Sequence, residues 1–173
     1  MTTKKERILE AALELFAKQG FAATSTNAIA KQAEVSEGLL FKHFGSKQGL
    51  LDALLQEGEE RVAVLVLPII TEENPLEVLR QYIELPFNMP EETYNFWRLI
   101  FQLKWNIDYD HKKKKKPLHT KLLGVFTDLG KDNPEQEAEL LMQLVDSVSV
   151  GLLQGSLSEP QVFRDFLLKK YIQ

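Results

Sequence analysis

The chain has 173 residues, no cysteine and a formal net charge of -4, with 44% hydrophobic and 27% charged residues. That length buries a sizeable core in one domain, or in a small domain joined to a larger one, and the missing cysteines exclude disulfides and thiolate metal sites. No stretch approaches the ~18 uninterrupted apolar residues of a membrane span, and the opening MTTKKERILE reads as charged and amphipathic rather than as a signal peptide. The expectation is a cytoplasmic protein with no membrane partner.

Helical period runs through almost every segment and no run sustains strand alternation, so the predicted fold class is all-α. The first helix opens with a capping box, Thr3 with Glu6, and ends at Gly20. Ile8, Leu9, Ala12, Leu13 and Phe16 share its inward face. Ser25 is the predicted N-cap of a short helix through Ala33, and Ser36 that of another through Phe44. Ser46 caps a longer helix from Lys47 towards Leu67, ending before Pro68. Gly58 inside it implies close packing against a neighbour or a bend. Pro75 opens a helix to about Leu85, and Pro86 and Pro90 mark the next break. Residues 91–107, EETYNFWRLIFQLKWNI, carry apolar residues on more than one face, as a mostly buried helix does. A loop, DYDHKKKKKPLHT, precedes a helix of roughly Leu118 to Leu129. Asn133 and Pro134 cap and start a long helix to about Leu153, and Ser158 with Pro160 begins the last, ending near Tyr171. About nine helices result. The predicted domains are residues 1–46, a three-helix unit, and 47–173, a helical body.

Charge is unevenly spread. Residues 1–50 hold seven Lys and Arg against five Asp and Glu, a balance of +2; residues 51–173 hold fourteen against twenty, a balance of -6. A mildly basic head is compatible with nucleic-acid binding at one end. Within it, Ile29, Ala30 and Ala33 give the first short helix an inward face, Val35 plugs the turn, and Leu40 and Phe44, four apart, continue the stripe. The outward side of the second short helix carries Glu37, Gly38, Leu39, Lys42 and His43. This is the pattern of a helix-turn-helix, whose second helix enters the major groove with its N-terminal residues nearest the bases. A glycine at 38 lets the helix backbone approach a duplex closely.

Through RILEAALELFAKQGFAATS and IAKQAEVSEGLLFKHFGSKQGLL, the chain resembles the TetR family of bacterial one-component transcriptional regulators over about residues 5 to 55. The resemblance is specific in spacing there, and in helix count and order beyond. It implies phosphate contacts at Ser25 and Thr26 and a base-edge or phosphate contact at Asn27. Glu37, Gly38 and Leu39, behind the N-cap Ser36, take the base-facing positions. Phe41, Lys42 and His43 flank the DNA backbone, and Lys47 meets a phosphate. Helix N-termini offer free N–H groups to anions, and lysines supply the salt-dependent attraction. Three positions depart from the family pattern. Glu34 stands at a turn usually glycine, where a left-handed backbone suits it less well. Phe41 stands where tyrosine usually bonds a phosphate. Leu39 replaces a small or hydroxylated residue and offers only apolar contact, as to a thymine methyl.

A unit this small reads few bases, so a homodimer on a palindromic stretch of double-stranded DNA is the expected partner arrangement. The last two helices are its predicted interface. Ser147, Gly151 and Gly155 recur at four-residue spacing beside Leu144, Val148 and Leu152, and the final helix adds Val162, Phe163, Phe166 and Leu167. A four-helix arrangement follows, as the resemblance also implies. Tyr94, Trp97, Phe101 and Trp105, with Phe87 and Phe126, are candidates to line an apolar cavity for a small-molecule effector. Arg98 and Gln102 are placed to orient its polar end. No cofactor is implied. Histidines at 43, 111 and 119 are scattered, no metal-spaced ligand set stands out, and Asp108, Asp110 and His111 lack a matching constellation. The lysine run 112–116 reads as solvated. The expected function is a ligand-released DNA-binding repressor rather than an enzyme. The alternative is a helical ligand-binding or protein-interaction module with degenerate DNA contacts.

Overall fold

The computed structural model describes residues 3–103 and 111–172, at 111–114 the backbone alone. Among them are α1 (Lys4–Gln19), α2 (Thr26–Gln32), α3 (Glu37–Phe44), α4 (Lys47–Thr71), α5 (Pro75–Glu84), α6 (Tyr94–Leu103), α7 (His111–Asp128), α8 (Pro134–Gln154) and α9 (Pro160–Ile172), with short 3-10 turns at Leu85–Asn88 and Glu91–Thr93 and no strand. The all-α expectation holds. The chain divides into two compact units, residues 1–62 with 92–107 and residues 63–91 with 108–173, so that α4 contributes to both.

In the first unit, the predicted capping box closes both ways. Thr3 Oγ1 accepts from the Glu6 N–H at 3.1 Å, and Glu6 Oε2 accepts from the Thr3 N–H at 2.7 Å. Gly20, with φ of 85°, stops α1. Ile8, Ala12 and Phe16 of α1 meet Ile29, Leu40 and the start of α4 at Leu50, Leu51 and Leu54, and Leu99 and Leu103 of α6 complete this core. Gln102 Nε2 donates to the Ala17 carbonyl at 2.8 Å, fastening α6 to α1. Gly58 is the close contact that its position in a helix suggests: a Cβ there would lie 1.7 Å from Phe96 Cε2.

In the second unit, Val78, Leu79, Tyr82 and Ile83 of α5, Leu122, Val125 and Phe126 of α7, Leu141, Val145 and Val148 of α8, and Leu167 of α9 form the core. Pro68 was expected to end a helix and Pro117 to lie in a loop, and both are internal to helices. α4 runs through Pro68 to Thr71, and α7 starts at His111 rather than Leu118, so Pro117 is internal and the lysine run lies on helix rather than in a loop. A proline removes one backbone hydrogen bond. Lysine, moreover, is a good helix former, and buried Ile69 and Leu118 beside the two prolines anchor the segments into the core. Lys115 Nζ reaches Asp146 Oδ1 at 2.6 Å and ties α7 to α8. Asn133 also departs from expectation. Its side chain caps nothing, and only its carbonyl accepts, from the Glu137 N–H at 3.0 Å.

Candidate nucleic-acid interface

The turn between α2 and α3 is built by backbone bonds. The Glu34 N–H bonds to the Lys31 carbonyl at 3.2 Å and the Val35 N–H to the Ala30 carbonyl at 3.0 Å, the paired pattern of a Schellman ending. That ending needs a left-handed residue, and Glu34 supplies it with φ of 54°, the one positive φ on a non-glycine residue among those described. Its carboxylate pairs with Arg7 Nη1 at 3.2 Å. Val35 packs on the core at the turn, as its position predicts.

Both N-caps form. Ser25 Oγ accepts from the Ala28 N–H at 3.1 Å, and Ser36 Oγ from the Leu39 N–H at 3.2 Å. Leu40 is fully buried, and Phe44 is half-buried against the same core, so α3 is held by this stripe. Its other side is left to solvent. Gly38, Lys42 and His43 are exposed, Phe41 is 43% exposed, and Glu37 and Leu39 are half-exposed. A Cβ at Gly38 would touch nothing within 4 Å, so the fold itself does not require glycine there. Ser25, Asn27 and Ser36 are also exposed.

Two side chains predicted to meet DNA are engaged internally. Lys47 Nζ donates to the carbonyls of Phe21 and Thr24, both at 2.8 Å, and stands 4.5 Å from the Phe21 ring centroid. It fastens the α1–α2 connection to the start of α4. Thr26 Oγ1 donates to Glu37 Oε1 at 2.5 Å, joining the N-termini of α2 and α3. Sequence spacing gives no hint of either bond, because each joins residues brought together only by the folded turn.

The predicted effector residues divide between the units. Tyr94, Trp97 and Phe101 are half-buried on α6, Trp97 and Phe101 with ring centroids 6.5 Å apart, and the Trp97 Nε1 atom is buried with no acceptor among the described residues. Phe126 is wholly buried in the second core, and Phe87 packs on that core. Trp105 lies outside the described residues, as do Asp108 and Asp110 and the side chain of His111. Arg98 is exposed and donates to Asn95 Oδ1 at 3.3 Å, and Gln102 Nε2 donates to the Ala17 carbonyl. The Tyr82 phenol is pushed upward by burial and, secondarily, by the Asp146 carboxylate, so it stays neutral in the core.

Of the predicted interface, Ser147 is exposed, Leu144, Gly151, Leu152 and Phe163 are half-buried, and Val162 and Phe166 are 61% and 58% exposed. Val148 and Leu167 instead face the second core. Gly155 serves as the left-handed C-cap of α8, with φ of 66°. Leu140, outside the predicted set and 54% exposed, lies in line with Leu144, Ser147 and Gly151 one turn nearer the start of α8.

Residues 8–54 match the model of the bacterial regulatory proteins, tetR family. Bacillus subtilis YvkB, an uncharacterized HTH-type transcriptional regulator, is 46% identical over 66 residues, covering 38% of this chain and 35% of YvkB. The chain therefore matches about a third of that relative's length. A TetR-like transcriptional regulator from Rhodococcus sp. superposes with a TM-score of 0.81 at 23% identity, covering 95% of this chain and 91% of that one. A transcriptional regulator from Saccharomonospora viridis, solved in complex with choline, gives 0.76 at 20% identity over 97% and 94%. The capped helix-turn-helix with its open outer face falls within the residues that this family model matches. The match to the TetR family is carried by residues 8–54, and beyond them the solved structures share the fold.

Proposed function

We propose that the protein binds a palindromic operator as a homodimer, represses there, and is released by a small apolar or aromatic effector. The observation that carries this reading is the division of α3. Leu40 and Phe44 lock one side to the core, while Gly38, Phe41, Lys42 and His43 stand open on the other. A rigid short helix with an uncovered polar edge suits the major groove. The lone Trp97 indole N–H favours an effector that brings a hydrogen-bond acceptor, because a buried donor without a partner carries a desolvation cost. Among solved folds of this shape, the Saccharomonospora protein holds choline. The continuous α4, shared by both units, is the route by which effector binding alters the separation of two recognition helices from the ~34 Å that successive half-sites demand.

Fluorescence anisotropy with DNA flanking the gene, over a range of salt, tests the proposal. Lys42→Ala should weaken binding and lower the salt slope by about one unit. Lys47→Ala should instead lower the melting temperature of the head, since its ammonium is bonded to the Phe21 and Thr24 carbonyls. The rival reading, a ligand-binding module with degenerate DNA contacts, draws on the internal use of Lys47 and Thr26. It predicts no salt-dependent binding to any of these fragments.

A further inference from the structure

On the second unit, α7 and α8 bring together three side chains that no helix-turn-helix function uses. His119 of α7 and Glu135 and Glu139 of α8 place one ring nitrogen and two carboxylate oxygens within 4.8 Å of one another. His119 Nε2 stands 3.3 Å from Glu135 Oε1. Ligand atoms about 2.0–2.2 Å from a common metal are spaced about 3.0–3.5 Å from each other, so this pair already has the spacing of two ligands. Glu139 lies one turn beyond Glu135, exposed and with no hydrogen-bond or ion-pair partner among the described residues. Glu135 and Glu139, four residues apart on α8, repel each other as like charges, which a cation between them would relieve.

We propose that His119, Glu135 and Glu139 bind a first-row divalent cation of the zinc type, with water in the remaining positions. One nitrogen and two oxygens form a borderline donor set, suited to zinc, cobalt or nickel rather than to soft monovalent copper. Two ligands come from the first two turns of α8 and one from α7, so the ion pins the two helices together at this end. His119 is half-buried and Glu135 about half exposed, which leaves the site open to solvent for loading.

The test uses the full chain freed of metal with a chelator. Calorimetric titration with zinc chloride should give one ion per chain. His119→Ala and Glu139→Gln should each weaken that uptake by at least about tenfold while far-UV circular dichroism stays unchanged. Cobalt loading should give a visible d–d band that disappears in His119→Ala, and zinc should raise the melting temperature of the unmodified chain only. Absence of stoichiometric uptake, or uptake by His119→Ala equal to that of the unmodified chain, overturns the proposal. Neither outcome depends on whether the protein binds DNA.

Discussion

Gly38 separates what the fold needs from what the proposed duplex contact needs. Glycine inside a helix costs about 1 kcal/mol relative to alanine, and the space where its Cβ would stand is empty. Gly38→Ala should therefore raise stability by up to about 1 kcal/mol in denaturant melts and yet weaken operator binding in anisotropy, because the added methyl holds the helix backbone away from the bases. Unchanged DNA affinity would mean that α3 does not approach a duplex at this point. Glu34 runs the other way. A left-handed backbone at a non-glycine residue costs about 1–2 kcal/mol, and here the strain is held by the Lys31 and Ala30 carbonyl bonds and by Arg7. That cost was readable from the sequence, since the turn spacing demands the conformation whatever residue fills it. The bonds of Lys47 and of Thr26 with Glu37 were not, because each partner comes from a different element.

Between elements, Gly58 and Phe96 make the sharpest steric test. The Cβ of Gly58→Ala would fall within 2.0 Å of the ring at Cζ as well as Cε2, and overpacking of this kind typically costs about 1–3 kcal/mol. Gly58→Ala should lower the denaturation midpoint by a corresponding amount, and pairing it with Phe96→Leu should recover part of the loss, giving a favourable coupling in the double-mutant cycle. Simple additivity would show that α4 and α6 do not touch here. The helix starts at Thr3, Ser25, Ser36 and Ser46 were legible because capping is local chemistry, with the hydroxyl and its amide at most three residues apart. Pro68 and Pro117 misled for the same reason: locally each breaks a helix, and only the long-range burial of Ile69 and Leu118 beside them keeps the helix whole. The His119, Glu135 and Glu139 grouping was invisible to spacing because its nitrogen arrives from another helix.

For the molecule as a whole, the two charge balances and the apolar faces of α8 and α9 argue together. A head of balance +2 is a weak electrostatic anchor by itself, and linking two such heads is how the proposed dimer would gain affinity. Val162 and Phe166, four residues apart on α9, and Leu140, in line with Leu144 on α8, expose apolar area that water alone covers in the single chain. Val148 and Leu167, predicted for the same surface, are buried in the core instead, which leaves fewer residues for the proposed contact. Phe166→Glu would place a charge on the exposed face of α9 in the proposed dimer contact, and Leu140→Glu would do so on α8. Each should leave the helical content intact and shift the chain from dimer to monomer in sedimentation equilibrium. Binding to a two-half-site operator should fall by roughly 10²–10⁴-fold, the usual gain from bivalency, while binding to a single half-site should change little. A dimer that survives Phe166→Glu with undiminished operator affinity would move the interface away from α8 and α9.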